Sequence, residues 1–155
     1  MIRYAYTSDF KTFTKPQTYI DKTPTSVIDL DIVSLDSTGT NYLRFIKDED
    51  IKTVFMESST SGLFGTWTRA GGNSGVITKN VEGPAGYRDN LIENKVHVLL
   101  DFYGGNGYAP YESTDAKANS WKASDATKFP TLLRHGSVLP INQSLYDALN
   151  KKWGQ

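Results

Sequence analysis

At 155 residues, 38% apolar and 22% charged, the chain has the length of one domain and enough apolar content for a core, which excludes wholesale disorder. Seventeen basic and seventeen acidic residues cancel, so no basic excess exists to neutralise phosphates, and nucleic acid is excluded as the expected partner. The absence of cysteine excludes a disulfide scaffold, a thiol nucleophile and a cysteine-ligated metal. No apolar run approaches the roughly 20 residues that span a bilayer, so no membrane partner is expected. Met1–Tyr6 carries no apolar signal core.

In chain order, Ile28 to Ser34, Tyr42 to Ile46 and Thr53 to Met56 are rich in β-branched and aromatic residues and predict strands. Asp36-Ser37-Thr38-Gly39, Lys47-Asp48-Glu49-Asp50 and Gly71-Gly72-Asn73-Ser74-Gly75 predict the turns between and after them, and Trp67 is expected to start a fourth strand. The pattern then repeats. Phe13, Trp67 and Trp121 are 54 residues apart, each after a stretch of small polar residues. Asp29, Glu82 and His135 are 53 apart, and Asp48 and Asp101 are again 53 apart. A period near 50 with four short strands per unit predicts propeller blades; the competing arrangement is an open β-sandwich. The expected fold is all-β, an incomplete propeller with blade units at about 28–81 and 81–133. Outer strands before Ile28 and an inner strand at Ser137–Ile141 would make half-blades at both ends. A short helix is predicted after Asn142, with Leu145, Leu149 and Trp153 at i+4 spacing, Tyr146 widening the stripe and Gly154 ending it. It is expected to cover an edge or close the bottom of the fold. Bare blade faces are costly in water, so a second copy or a complementing polypeptide is expected to cover them.

Inner strands of a propeller line its axis, so Asp29, Glu82 and His135 should converge there. Two carboxylates flanking a bond are what glycoside hydrolysis requires, one as acid and one to activate water or attack carbon. Close carboxylates also push each other's pKa values apart, keeping one protonated near neutral pH. The alternative is that all three are tied up in strand-end hydrogen bonds. His97, between Val96 and Val98, is read as structural. Gly104-Gly105-Asn106-Gly107 is read as a tight turn, since no Lys-Ser/Thr follows it. Asp48-Glu49-Asp50 is read as a solvated turn. Tyr103, Tyr108 and Tyr111 form either a sugar-stacking wall or ordinary packing.

The segments Val27-Ile28-Asp29, Val81-Glu82-Gly83-Pro84, Asp101 to Tyr108 and Arg134-His135-Gly136-Ser137-Val138-Leu139-Pro140-Ile141 together resemble glycoside hydrolase family 43. These are five-bladed propeller arabinofuranosidases, β-xylosidases and arabinanases. The resemblance spans nearly all of the chain but only the C-terminal half of the family's catalytic domain. It implies extracellular hydrolysis of α-L-arabinofuranosyl or β-D-xylosyl linkages in plant polysaccharide, with inversion. Glu82 matches the general acid and Asp29 the carboxylate that orients and tunes it. Arg134 and Tyr108 are the expected substrate contacts. His135 matches a residue that helps hold a central calcium ion, often through water. The family's general base, an Asp of the first blade, has no counterpart here: Asp9, Asp21 and Asp31 lack its motif. The alternative is a non-catalytic, glycan-binding half-propeller that pairs with itself.

Overall fold

The computed structural model describes residues 1–154. Ten strands and one helix follow in chain order: β1 (Ile2–Tyr4), β2 (Gln17–Ile20), β3 (Val27–Ser34), β4 (Tyr42–Asp48), β5 (Thr53–Ser59), β6 (Thr78–Lys79), β7 (Glu82–Arg88), β8 (Val96–Phe102), β9 (Gly107–Asp115), β10 (Ser120–Ala123) and α1 (Gln143–Trp153). They form a two-stranded β1-β2 sheet and two four-stranded sheets, β3-β4-β5-β6 and β7-β8-β9-β10. Every pair is antiparallel and joins sequence neighbours. The fold is therefore all-β, a partial propeller-like stack.

The side-chain period of two explains the stacking. On β4, Leu43 and Phe45 face the second sheet, where they meet Val81, Val96, Val98 and Leu100. The opposite face of the first sheet, through Ile46 and Phe55, packs on Ile20 of β2 and on Val27. On β8, Val96, Val98 and Leu100 face the first sheet, while Leu99 packs with Ala85 and Tyr108 on the far side, beside Phe129. Both central strands are buried on both faces, and the charged residues they carry, Arg44, Lys47 and Asp101 among them, are buried with them.

β7 comes so close to the first sheet that a Cβ on Gly86 would lie 2.5 Å from a ring carbon of Phe45 and 2.7 Å from a methyl of Val33. Gly86→Ala is expected to cost about 1–3 kcal/mol through overpacking, read as a lower urea midpoint at an unchanged slope.

Three expectations need correction. The fourth strand of the first sheet is Thr78–Lys79, not the Trp67 segment, which makes only a single bridge between Thr68 and Ser58. The Trp67 indole lies beneath the Arg44 guanidinium, 4.2 Å from it, in a cation–π contact. Ser137–Ile141 forms no strand: it pairs with no sheet edge, and its side chains are exposed. The helix starts as expected, with Asn142 Oδ1 accepting from the N–H of Leu145 at 2.9 Å. It covers no edge, however: none of its residues is buried, and Leu145, Leu149 and Trp153 face solvent.

The pseudo-repeat has a sharper period than the sequence suggests. On β3, Ile28 stands opposite Lys47 and the next pair is Asp31 with Phe45, so Asp29 and Leu30 bulge out. On β7, Glu82 stands opposite Asp101 and the next pair is Ala85 with Leu99, so Gly83 and Pro84 bulge. The bulges superimpose at a period of 54, which matches Ile28 with Glu82, Asp29 with Gly83, and Lys47 with Asp101. Asp29 and Glu82 are thus not equivalent positions, nor are Asp48 and Asp101. Asp29 and Gly83 share the left-handed backbone that the bulge demands, both at φ 51°.

Candidate active site

The bulges bring the site together. At its left-handed corner Asp29 leaves the strand pleat and reaches the next sheet, where its Oδ2 accepts the N–H of Gly83 at 3.0 Å. Glu82, the residue before, opens β7. His135 sits at a second left-handed corner, φ 44°, in the irregular segment after β10. One ligand-type atom from each of Asp29, Glu82 and His135 lies within 4.8 Å of the others. The three residues therefore meet, although the register that unites them differs from the one their spacing implied.

Glu82 is the hub. Its Oε2 accepts from Lys47 Nζ at 2.8 Å; its Oε1 accepts from Arg134 at 3.1 Å and lies 3.1 Å from His135 Nε2. Lys47 belongs to β4, 2% exposed, and also pairs with Glu49 at 2.8 Å. Burial pulls the Lys47 ammonium down, but Glu49 and Glu82 outweigh it and hold the group above its ordinary value. Arg134 Nε donates to Asp101 Oδ2 at 2.7 Å, and Asp101 is fully buried with its Oδ1 unpartnered. The result is a line of alternating charge from Glu49 through Lys47, Glu82 and Arg134 to Asp101. Asp101 and Lys47 occupy equivalent positions on their sheets and flank Glu82 from opposite sides.

This electrostatic setting reverses one expectation. The hydrogen bond from Lys47, helped by His135, holds the Glu82 carboxyl below the usual carboxylate range despite partial burial. A neighbouring carboxylate does not dominate, so Glu82 in the free site is ionised at neutral pH.

Tyr108 is not at the surface. It is 6% exposed, and its hydroxyl donates to the Gly83 carbonyl at 2.7 Å and accepts the N–H of Gly136 at 2.8 Å. Its hydroxyl is spent inside the protein, so it is no substrate contact. Of the three tyrosines, Tyr103 is the exposed one, with Lys47 Nζ 4.8 Å from its ring centroid, while Tyr111 packs on Phe102. The side chain of Arg134 is 52% exposed and engaged in the ion pairs above.

His97 is structural, as read from sequence: its Nε2 is 2.9 Å from Asp89 Oδ2 and its ring stacks on Tyr87 at 4.9 Å. The His97 bond, with the N–H groups of Leu91 and Ile92, lowers Asp89 to about 2. Residues 103–106 form the tight turn between β8 and β9. The acidic turn at 48–50 is more than solvated: Asp48 accepts the N–H groups of Asp50 and Ile51, and Glu49 backs Lys47.

Lys47, Glu49 and Asp101 were not singled out as site residues from sequence. The signal for Lys47 was present: it shares the alternation parity of Leu43 and Phe45 on a buried strand, so its ammonium had to face the neighbouring sheet.

A propeller-like stack of antiparallel sheets, with an imidazole brought against two carboxylates at the starts of β3 and β7, has the form of a glycosyl hydrolase-like domain. Residues 1–147 match a family model described as a probable glycosyl hydrolase domain, and the chain belongs to that family, related to glycoside hydrolase family 43. No curated protein and no solved structure matches the chain.

Proposed function

We propose that the chain carries the proton-donating half of a glycosidase active site, acting with inversion on α-L-arabinofuranosyl or β-D-xylosyl linkages. The observation that supports this most is the convergence of Asp29, Glu82 and His135 within 4.8 Å beside the half-exposed Arg134. Glu82 donates its proton to the leaving oxygen, and Asp29 fixes the bulge that presents it. Arg134 and His135, both half-exposed, give up their contacts with Glu82 to sugar hydroxyls.

Inversion needs about 6.5–9.5 Å between acid and base to admit water. Asp29 stands too close to Glu82 to be that base. The base is a carboxylate from a complementing polypeptide, and its approach raises Glu82 by like-charge repulsion, restoring the protonated form.

A calcium ion belongs to the same proposal. The carboxylates offer the oxygen donors that calcium takes, and the imidazole would reach it through a bound water. Lys47 and Arg134 already occupy Glu82, so Asp29 and His135 would hold the ion, largely through water. Bound there, it would supply a fixed positive charge to orient the sugar.

Two observations favour a second reading, a glycan-binding module that pairs with itself: Glu82 is ionised and engaged by Lys47 and Arg134, and the apolar stripe of α1 is uncovered. Turnover and light scattering separate the two. Hydrolysis of xylo- or arabino-oligosaccharides in the presence of the complementing half supports the glycosidase. Glycan binding by a dimer without turnover supports the module.

A further inference from the structure

We propose that Tyr108 is the positioning residue of this site, its buried hydroxyl locking the corner that bears Glu82 to the corner that bears His135. This deepens the proposed function, since it rests on Glu82 and His135 as the working pair.

The segment that delivers Arg134 and His135 has no strand or helix of its own to hold it in place. Its backbone is attached to the second sheet at few points, and most of them involve the start of β9. The N–H of Leu132 donates to Asn106 at 3.0 Å, and the N–H of Tyr108 donates to the carbonyl of Leu133 at 2.8 Å. The chain passes so close that a Cβ on Gly107 would fall 2.4 Å from that same carbonyl oxygen. The Tyr108 hydroxyl then completes the attachment at Gly136, just beyond His135.

The other end of the lock is Gly83, directly after Glu82. Its carbonyl receives the Tyr108 proton, and its N–H is held by Asp29. Gly83 and His135 both have left-handed backbones, and for a non-glycine residue such as His135 that conformation persists only where the surroundings hold it. The imidazole lies flat against Gly83: a Cβ there would be 3.0 Å from the ring atoms. The hydroxyl thus bridges two corners 52 residues apart in sequence. One phenol can donate once and accept at the same time, which is the pattern seen. Burial pushes the phenol up, so it keeps the proton this pattern needs.

The two histidines of the chain provide the test. In Tyr108→Phe the ring packing remains and only the oxygen is lost. The ¹⁵N-detected imidazole resonances of His135 are expected to shift and broaden, while those of His97, held by Asp89 and Tyr87, stay in place and report an intact second sheet. Coincident His135 resonances in wild type and Tyr108→Phe would overturn the proposal. A measurement on the wild type alone guards against a variant that does not fold. The Gly136 amide should exchange with deuterium much more slowly than its neighbours in the exposed segment, and exchange as fast as theirs would also overturn it. Both readouts are independent of turnover, so an inactive wild type or a harmless Glu82→Gln would defeat the glycosidase reading without deciding this one.

Discussion

Glu82→Gln is expected to reduce hydrolysis of xylo- or arabino-oligosaccharides by about 10²–10⁴-fold when the chain is assayed with the polypeptide that supplies the base, the range contributed by a positioned general acid. The same substitution should matter far less for 4-nitrophenyl glycosides, whose leaving group departs without a proton. This contrast separates a proton donor from a residue that only binds. The pH dependence follows from the site. Lys47 lowers the Glu82 carboxyl, and a group with a depressed pKa is protonated only towards acid. With the base in place the rate should fall on the alkaline side, where Glu82 loses the proton that the base's approach helps it keep. Lys47→Met removes the buried cation and should move the alkaline limb of the profile to higher pH. Equal losses on both substrate types, or a profile that Lys47→Met leaves in place, would count against Glu82 as the acid.

Glu57→Ala is expected to destabilise the fold by about 3–5 kcal/mol, because it strands a buried cation. Glu57 and Arg44, from β5 and β4, have side chains only 3% and 7% exposed. The Glu57 carboxylate also receives Lys22 Nζ at 2.6 Å, and Arg44 Nε donates to it at 2.7 Å. Loss of the acid leaves Arg44 between Tyr19 and Trp67 with no counter-charge. Whole domains are stable by only about 5–15 kcal/mol, so urea denaturation will register the change plainly. Replacing both partners, Arg44→Met with Glu57→Leu, should cost less than Glu57→Ala, since no buried charge is left unpaired. The pH dependence has a definite sign. Burial alone would raise the Glu57 carboxyl, but the hydrogen bond from Lys22 and the charge of Arg44 hold it below its ordinary value. Its contribution is therefore complete above the unfolded carboxyl pKa of about 4.3 and is lost as pH falls through the lower folded value. Wild type should lose more stability than Glu57→Gln between neutral and strongly acid pH. An equal loss in the two proteins would show that the pair contributes nothing.

The large features of the fold were legible because they rest on repetition and alternation. The strands at 27–34, 42–48 and 53–59 carry apolar residues at the parity that stacking needs, and the spacing of Trp67 and Trp121 carries the true period of 54. What misled was a coincidence of polar residues one position out of step. Asp29 and Glu82 look equivalent at 53, yet the bulge gives the place of Asp29 to Gly83. A bulge leaves little mark in a single sequence, since its signature is a backbone angle that glycine adopts freely and aspartate adopts only under constraint. Tyr108 was misplaced for a related reason: an aromatic next to a glycine-rich turn suits a sugar wall and a buried strut equally well, and only the positions of Gly83 and Gly136 decide between them. The segment at 137–141 has strand composition without a strand, since β propensity reflects packing context rather than a backbone preference.

A crystal structure of the chain with a bound xylo- or arabino-oligosaccharide tests the central claim most directly. The account predicts a sugar oxygen at the Glu82 carboxylate, with Asp29 still bonded to Gly83 and with Arg134 and His135 turned from Glu82 to the sugar hydroxyls. A sugar bound on any other surface, or Asp29, Glu82 and His135 found apart, would contradict it.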